Sequence, residues 1–127
     1  QRNDLIERLD ECLLRELAER GGGASAAAPW NTETLGSVVD RLAILGLKIL
    51  HMGVQAERAE ASAEHRQRCA AKRDILIRQR ADLSQAGEIL LADLYAGRKQ
   101  LKIYRQFKMY NDPALNPYLA ANRSGAR

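Results

Sequence analysis

Between Leu35 and Val54 large apolar side chains return every three or four residues, at Leu35, Val38, Leu42, Leu45, Ile49 and Met52. That period belongs to a helix and excludes a strand, whose side chains change face at every residue. At about 100° per residue the apolar positions of this stretch span an arc of roughly 220°, with Leu47, Leu50 and Val54 on its far edge. So wide an arc packs against more than one neighbour, which makes this the expected central helix of a bundle. Gly46 and Gly53, a heptad apart on the apolar face, would let another helix approach closely. Composition agrees with helix: 18 Leu and 20 Ala stand against 12 Val, Ile and Thr together, and β-branched residues are those that suit a pleated surface. No apolar run approaches the roughly 18 to 20 residues that cross a membrane. No signal peptide is visible, and because the chain starts at Gln1 it is expected to begin inside a longer protein.

Other elements follow from the same reasoning. Ile6, Leu9, Leu13 and Leu17, widened by Leu5 and Cys12, predict an amphipathic helix over 3–20, ended by Gly21–Gly23. Residues 21–29 (GGGASAAAP) read as a flexible connector. Asn31 is the expected N-cap of the central helix, with Trp30 and Leu35 as a hydrophobic staple. Residues 56–73 contain no large aliphatic side chain, so the chain is expected to turn near Ser62, although no glycine or proline marks the spot and a continuous helix through the region is the alternative. A further helix then carries Leu76, Leu83, Leu90 and Leu94, with Cys69 on the same line. Gly97 is either its C′ residue or a weak point in a longer rod. Helical spacing resumes over 98–110 until Asn111–Asp112–Pro113, which stop it and open a short turn through Leu119. Residues 120–127 read as a frayed tail. The fold class is therefore all-α: one domain, an antiparallel helical bundle built on a long helical hairpin, with a short C-terminal turn after Pro113.

The net charge of +4 is uneven. Residues 1–64 are acidic, whereas residues 98–127 carry seven cations against Asp112 alone. A basic final quarter points to an anionic partner. On a helix, Arg98, Lys102 and Arg105 share one face, Lys99 and Lys108 flank them, and Tyr104, Phe107 and Tyr110 are interleaved. If the preceding helix runs through Gly97, Arg73 and Arg80 extend the row. The polar stripe of the central helix holds Thr34, Ser37, Arg41, Lys48 and Gln55, with Asp40 and His51 on its flank. Converging on the basic row, it would supply Asp40 as partner for an arginine and Lys48 and His51 as donors to phosphate or carboxylate. The opposing reading is a solvated face whose cations pair with neighbouring acids. No phosphate loop, nucleophile elbow, paired-carboxylate motif or HExxH is present. His65 and Cys69 stand four apart with no second ligand pair, so no metal site and no cofactor is expected.

Three stretches carry a family resemblance: QRNDLIERLDE (1–11), TLGSVVDRLAILGLKILHM (34–52) and AGRKQLKIYRQFKMYNDPALNP (96–117). Together they resemble the bacterial domain of unknown function 4254 over most of residues 1–119, the run at 21–29 excepted. The resemblance implies a helical protein encoded near glycosyltransferases of lipopolysaccharide-type surface-glycan synthesis. It also implies a family domain with an earlier N-terminal helix that this chain lacks. It brings no catalytic residues. The residues matching its wording coincide with the polar stripe and the basic segment.

The expected function is thus a cytoplasmic, non-enzymatic accessory of surface-glycan biosynthesis. It would bind an anionic ligand, such as a nucleotide-sugar, or an acidic partner such as a glycosyltransferase. The candidate ligand-binding residues are Asp40, Arg41, Lys48, His51, Arg80, Arg98, Lys102, Tyr104, Arg105, Lys108, Tyr110 and Asn111. A helical-bundle transferase or mutase, with Arg41, Lys48, Arg80 and Arg98 clamping its substrate, is the first alternative. Nucleic-acid binding is the second, disfavoured by the acidic first half and the lack of a known module. A homodimer is expected, since the arc of the central helix exceeds what this chain can cover alone.

Overall fold

The computed structural model describes residues 1–20, 26–105 and 114. Its elements are α1 (Arg2–Glu19), β1 (Trp30–Asn31), α2 (Leu35–Ala56), α3 (Ala63–Tyr95) and β2 (Gln100–Leu101). The protein is all-α, and α2 and α3 form the long hairpin that the apolar spacing implies. The connector's first five residues, residues 106–110 of the helix expected over 98–110, the turn after Pro113 apart from Ala114, and the tail 120–127 lie outside the described residues.

Local chemistry fixes the helix ends. Ser62, in extended conformation, is the N-cap of α3, its hydroxyl accepting from the His65 N–H at 3.1 Å. The turn before it has neither glycine nor proline. Arg58 and Arg66 hold it instead: Arg58 donates to Glu60 at 2.8 Å and to Gln55 Oε1 at 3.1 Å, and Arg66 donates to the carbonyls of Arg58 and Ala59. At its far end α3 stops in a Schellman cap. Gly97 takes φ 74°, the Arg98 N–H donates to the Asp93 carbonyl at 2.8 Å, and the Gly97 N–H donates to that of Leu94. Of the two readings of Gly97, the C′ residue is the one observed.

Several expectations need correction. The N-cap of α2 is Thr34, whose Oγ1 accepts from the Ser37 N–H at 3.2 Å. Asn31 is unavailable because Trp30 and Asn31 pair in parallel with Gln100 and Leu101, and Trp30 stays largely exposed instead of stapling the helix. The same pairing overturns the helix expected over 98–105. Gln100 donates from its backbone to the Pro29 carbonyl at 2.9 Å and from its side chain to that of Ala28 at 2.6 Å. Past the Schellman cap the chain is therefore extended, and Arg98, Lys102 and Arg105 do not form a helical row.

The core lies at one end of the hairpin. Leu17, Val38, Leu83, Leu90, Leu94 and Leu101 form it, with Leu13, Leu14, Leu42 and Leu45 packed around them. Helix α1 runs antiparallel to α2, since Arg2 pairs with Asp40 while Asp10 meets Gly36. The first turns of α1 meet α2 around Gly36, Asp40 and Ala43. The Asp10 carboxylate, 2% exposed, accepts the Gly36 N–H at 2.8 Å and so caps the start of α2 from a neighbouring helix. The close approaches fall at glycines other than Gly46 and Gly53. A Cβ on Gly36 would lie 2.6 Å from the Ile6 carbonyl oxygen, and one on Gly87 would lie 2.9 Å from Val38 Cγ1. Around Gly46 there is open space.

Candidate functional site

The candidate residues divide between two places. The first is an open groove of about 700 Å³ between α2 and α3. From α2 it takes Arg41, Ile44, Leu45 and Lys48, and from α3 Gln79, Asp82, Leu83 and Ala86, with Glu33 at its end. Arg41 and Lys48 stand seven residues apart, two turns on one face, and α3 repeats the device at 79, 82, 83 and 86. The floor is apolar and the rims are charged. Arg41 donates to Glu33 at 2.5 Å. Among the described residues no hydrogen bond or ion pair engages Lys48 or Asp82, so both rims are open to a ligand.

The second place is the extended segment 98–105, where most of the cations are already engaged. Arg98 reaches Asp93 at 2.7 Å. Lys99 lies 3.9 Å from Asp93 and donates to Asn31 Oδ1 at 3.4 Å. Lys102 stands over the Trp30 ring at 5.7 Å. Arg105 pairs with Glu11 at 2.7 Å and Glu7 at 3.0 Å. Hydrogen bonds to Glu11 and then Glu7 hold its pKa above the ordinary arginine value. The segment straps the acidic α1 to the end of the hairpin.

The polar stripe of α2 does not face this segment. Asp40 pairs with Arg2, not with an arginine of the basic stretch. His51 is exposed on α2, outside the groove. Arg80 is exposed on α3 and does not line the groove beside Gln79. Tyr104 is exposed. Lys108, Tyr110 and Asn111 lie outside the described residues. Arg41 and Lys48 thus share one pocket, while Arg80 and Arg98 stand elsewhere. Sequence reasoning missed Gln79 and Asp82, although their spacing from Leu83 places them on the rim beside the apolar line.

At the turn end, His65 Nε2 lies 3.0 Å from Gln55 Oε1 and 3.6 Å from Cys69 Sγ. Among the described residues no three His, Cys, Asp or Glu side chains gather as a metal site, and no helix is long and apolar enough to cross a membrane.

Residues 1–103 match the family described as a protein of unknown function, DUF4254. The chain belongs to the DUF4254 family. No curated protein and no solved structure matches it. The matched span includes all of α1, α2 and α3 together with the groove, and ends two residues after β2.

Proposed function

We propose that this DUF4254 protein is a non-enzymatic accessory of surface-glycan biosynthesis that holds a phosphorylated sugar, such as a nucleotide-sugar, in the α2–α3 groove. The observation that carries the reading is the pairing of Arg41 and Lys48 on one rim with Gln79 and Asp82 on the other. Guanidinium and ammonium groups take phosphate through charge-assisted hydrogen bonds. A carboxylate and an amide across the groove accept and donate to sugar hydroxyls, over a floor of Ile44, Leu45, Leu83 and Ala86. The site moves away from the basic C-terminal segment because Asp93, Glu7 and Glu11 already pair with Arg98 and Arg105; in the groove Arg41 is likewise paired with Glu33, and Lys48 is the cation that carries the reading. Cytoplasmic location and a glycosyltransferase partner rest on the family resemblance, and the reading includes a homodimer.

Thermal-shift and calorimetric titration with UDP-glucose, UDP-N-acetylglucosamine, glucose 1-phosphate and inorganic phosphate test the site. The nucleotide-sugars should stabilise the protein, and Lys48→Gln should weaken them about tenfold, the worth of one charge-assisted contact. Arg98→Gln should leave binding unchanged. Silence across the panel, or a loss that follows Arg98 instead of Lys48, would overturn the reading.

A further inference from the structure

The groove between α2 and α3 does not end at Lys48. The same residue lines a second hollow, of about 310 Å³, that continues between the two helices toward the turn. The stems of Lys48 and Lys72 wall it together with Met52, Ile75 and Leu76, and these walls present no polar surface. Residue numbers fall along α3 as they rise along α2, so the two hollows lie in line. From Arg41 to Met52 the trench runs about 16 Å. Three surfaces succeed one another along it. Gln79 and Asp82 face hydroxyl-sized polar groups in the first hollow, Lys48 stands at the junction, and hydrocarbon alone lines the second. Lys48 has Ile44, Leu45, His51 and Met52 as its neighbours three and four residues away, and Lys72 has Arg68, Cys69, Ile75 and Leu76. Neither set contains an acid, so neither ammonium has a counterion on its own helix. Among the described residues no hydrogen bond or ion pair engages Lys72, as none engages Lys48.

We infer that the trench takes a sugar phosphate esterified to a linear hydrocarbon chain, with the sugar in the first hollow, the phosphodiester at Lys48 and the chain in the second. This rests on the phosphorylated-sugar reading of the same groove and names the group beyond the phosphate. Polar, anionic and apolar parts follow one another in such a molecule in the order in which the trench presents their complements. The phosphodiester meets an ammonium that lacks a counterion, and the chain leaves water against methylene, thioether and branched aliphatic walls. A nucleoside fits the second hollow poorly. Its base edges would be desolvated against walls that return no hydrogen bond, and no aromatic ring lines either hollow for the base to stack on.

Calorimetric titration of the whole chain with glucose 1-phosphate and its butyl, hexyl and octyl phosphodiesters tests the assignment, all below their micelle concentrations. Affinity should rise about twofold per methylene, half of what complete burial gives because the trench is open, so octyl should exceed butyl by more than about tenfold. Octyl glucoside, which lacks the phosphate, should bind at least about tenfold more weakly than the octyl phosphodiester. UDP-glucose should bind no more tightly than glucose 1-phosphate. Ile75 is 47% exposed, so Ile75→Gln spares the core and should flatten the dependence on chain length. Leu50→Gln, on the exposed outer face of α2, should leave that dependence intact. Glucose 1-phosphate bound with no gain from the chain, or UDP-glucose bound most tightly of all, would overturn the hydrocarbon and leave the phosphorylated-sugar reading standing. Octyl glucoside equal to the phosphodiester, or a chain dependence lost with Leu50→Gln and kept with Ile75→Gln, would place the chain outside the trench and overturn the inference. Silence from every phosphate-bearing probe would overturn both readings.

Discussion

The two ends of the α2–α3 hairpin contain the same kinds of residue and reach opposite outcomes. At the end where α1 and the 98–105 strap arrive, leucines from α1, α3 and β2 close around Val38. At the turn end the same helices carry leucine, isoleucine and valine at helical spacing, yet Leu47, Leu50, Val54 and Ile75 remain exposed. The difference is the third layer. A helix stripe becomes core only where neighbours arrive on more than one side, so what α2 buries depends on how far α1 extends along it and not on its own residues.

The largest expected effect separates the two ends directly. Leu94 is 3% exposed in the core, and Leu94→Ala should cost about 2–5 kcal/mol in urea denaturation, from lost burial plus a cavity. Leu50→Ala should cost under about 0.5 kcal/mol in the same measurement. Equal losses for both variants would show that the turn end is buried as firmly as the core.

Glycine gives the next comparison. At Gly36 a methyl group would meet the Ile6 carbonyl and the Asp10 carboxylate, neither of which can retreat without losing the cap on α2. Gly36→Ala should therefore destabilise by about 1–3 kcal/mol. At Gly46 the space is open, and Gly46→Ala in dilute protein should stabilise by roughly 0.5–1 kcal/mol through helix propensity. Thermal melts of both variants at low concentration check the pair. A stabilised Gly36→Ala would mean that α1 does not sit on α2 as described.

Much of this was legible in the chain. The hairpin turn falls at Ser62 and the long helices span 35–56 and 63–95, as the aliphatic spacing and the gap in it imply. Periodicity is a local signal, and helices are built from local contacts. What could not be read rests on contacts distant in sequence. Arg98, Lys102 and Arg105 have helical spacing, but Gln100 is claimed by a backbone pairing with Trp30, seventy residues earlier. Asn31 and Thr34 are comparable caps by residue type, and the same pairing decides between them. In the candidate site, Arg41 and Lys48 were visible as a stripe. Gln79 and Asp82 were not, because nothing local says which flank of α3 borders the groove.

A smaller effect concerns the caps. Ser62→Ala removes the acceptor for the His65 N–H and should cost about 1 kcal/mol. Hydrogen exchange should locate the loss in the first turn of α3, with the Leu90 region unchanged. Protection lost equally along the whole helix would instead mean that the two ends unfold as one unit.

The smallest effect is electrostatic and belongs to the turn. The hydrogen bond from Arg58 holds the Glu60 carboxyl below its ordinary pKa, helped by the residue's own backbone N–H and, less, by the Arg58 charge, against an opposing cost of burial. A carboxyl whose pKa is lower folded than unfolded binds protons more readily in the unfolded chain. Its contribution to stability is therefore present above the unfolded pKa and disappears as pH falls through the folded one. Both side chains are solvent-exposed, so salt screens the pair and the gain is small. Carbon-detected NMR titration should give Glu60 a midpoint below the ordinary glutamate value, and Arg58→Gln should raise it toward that value. A midpoint indifferent to Arg58 would remove the ion pair as the device that replaces glycine or proline in this turn. The bare end of the hairpin would then be held by the Ser62 cap and the two Arg66 contacts alone.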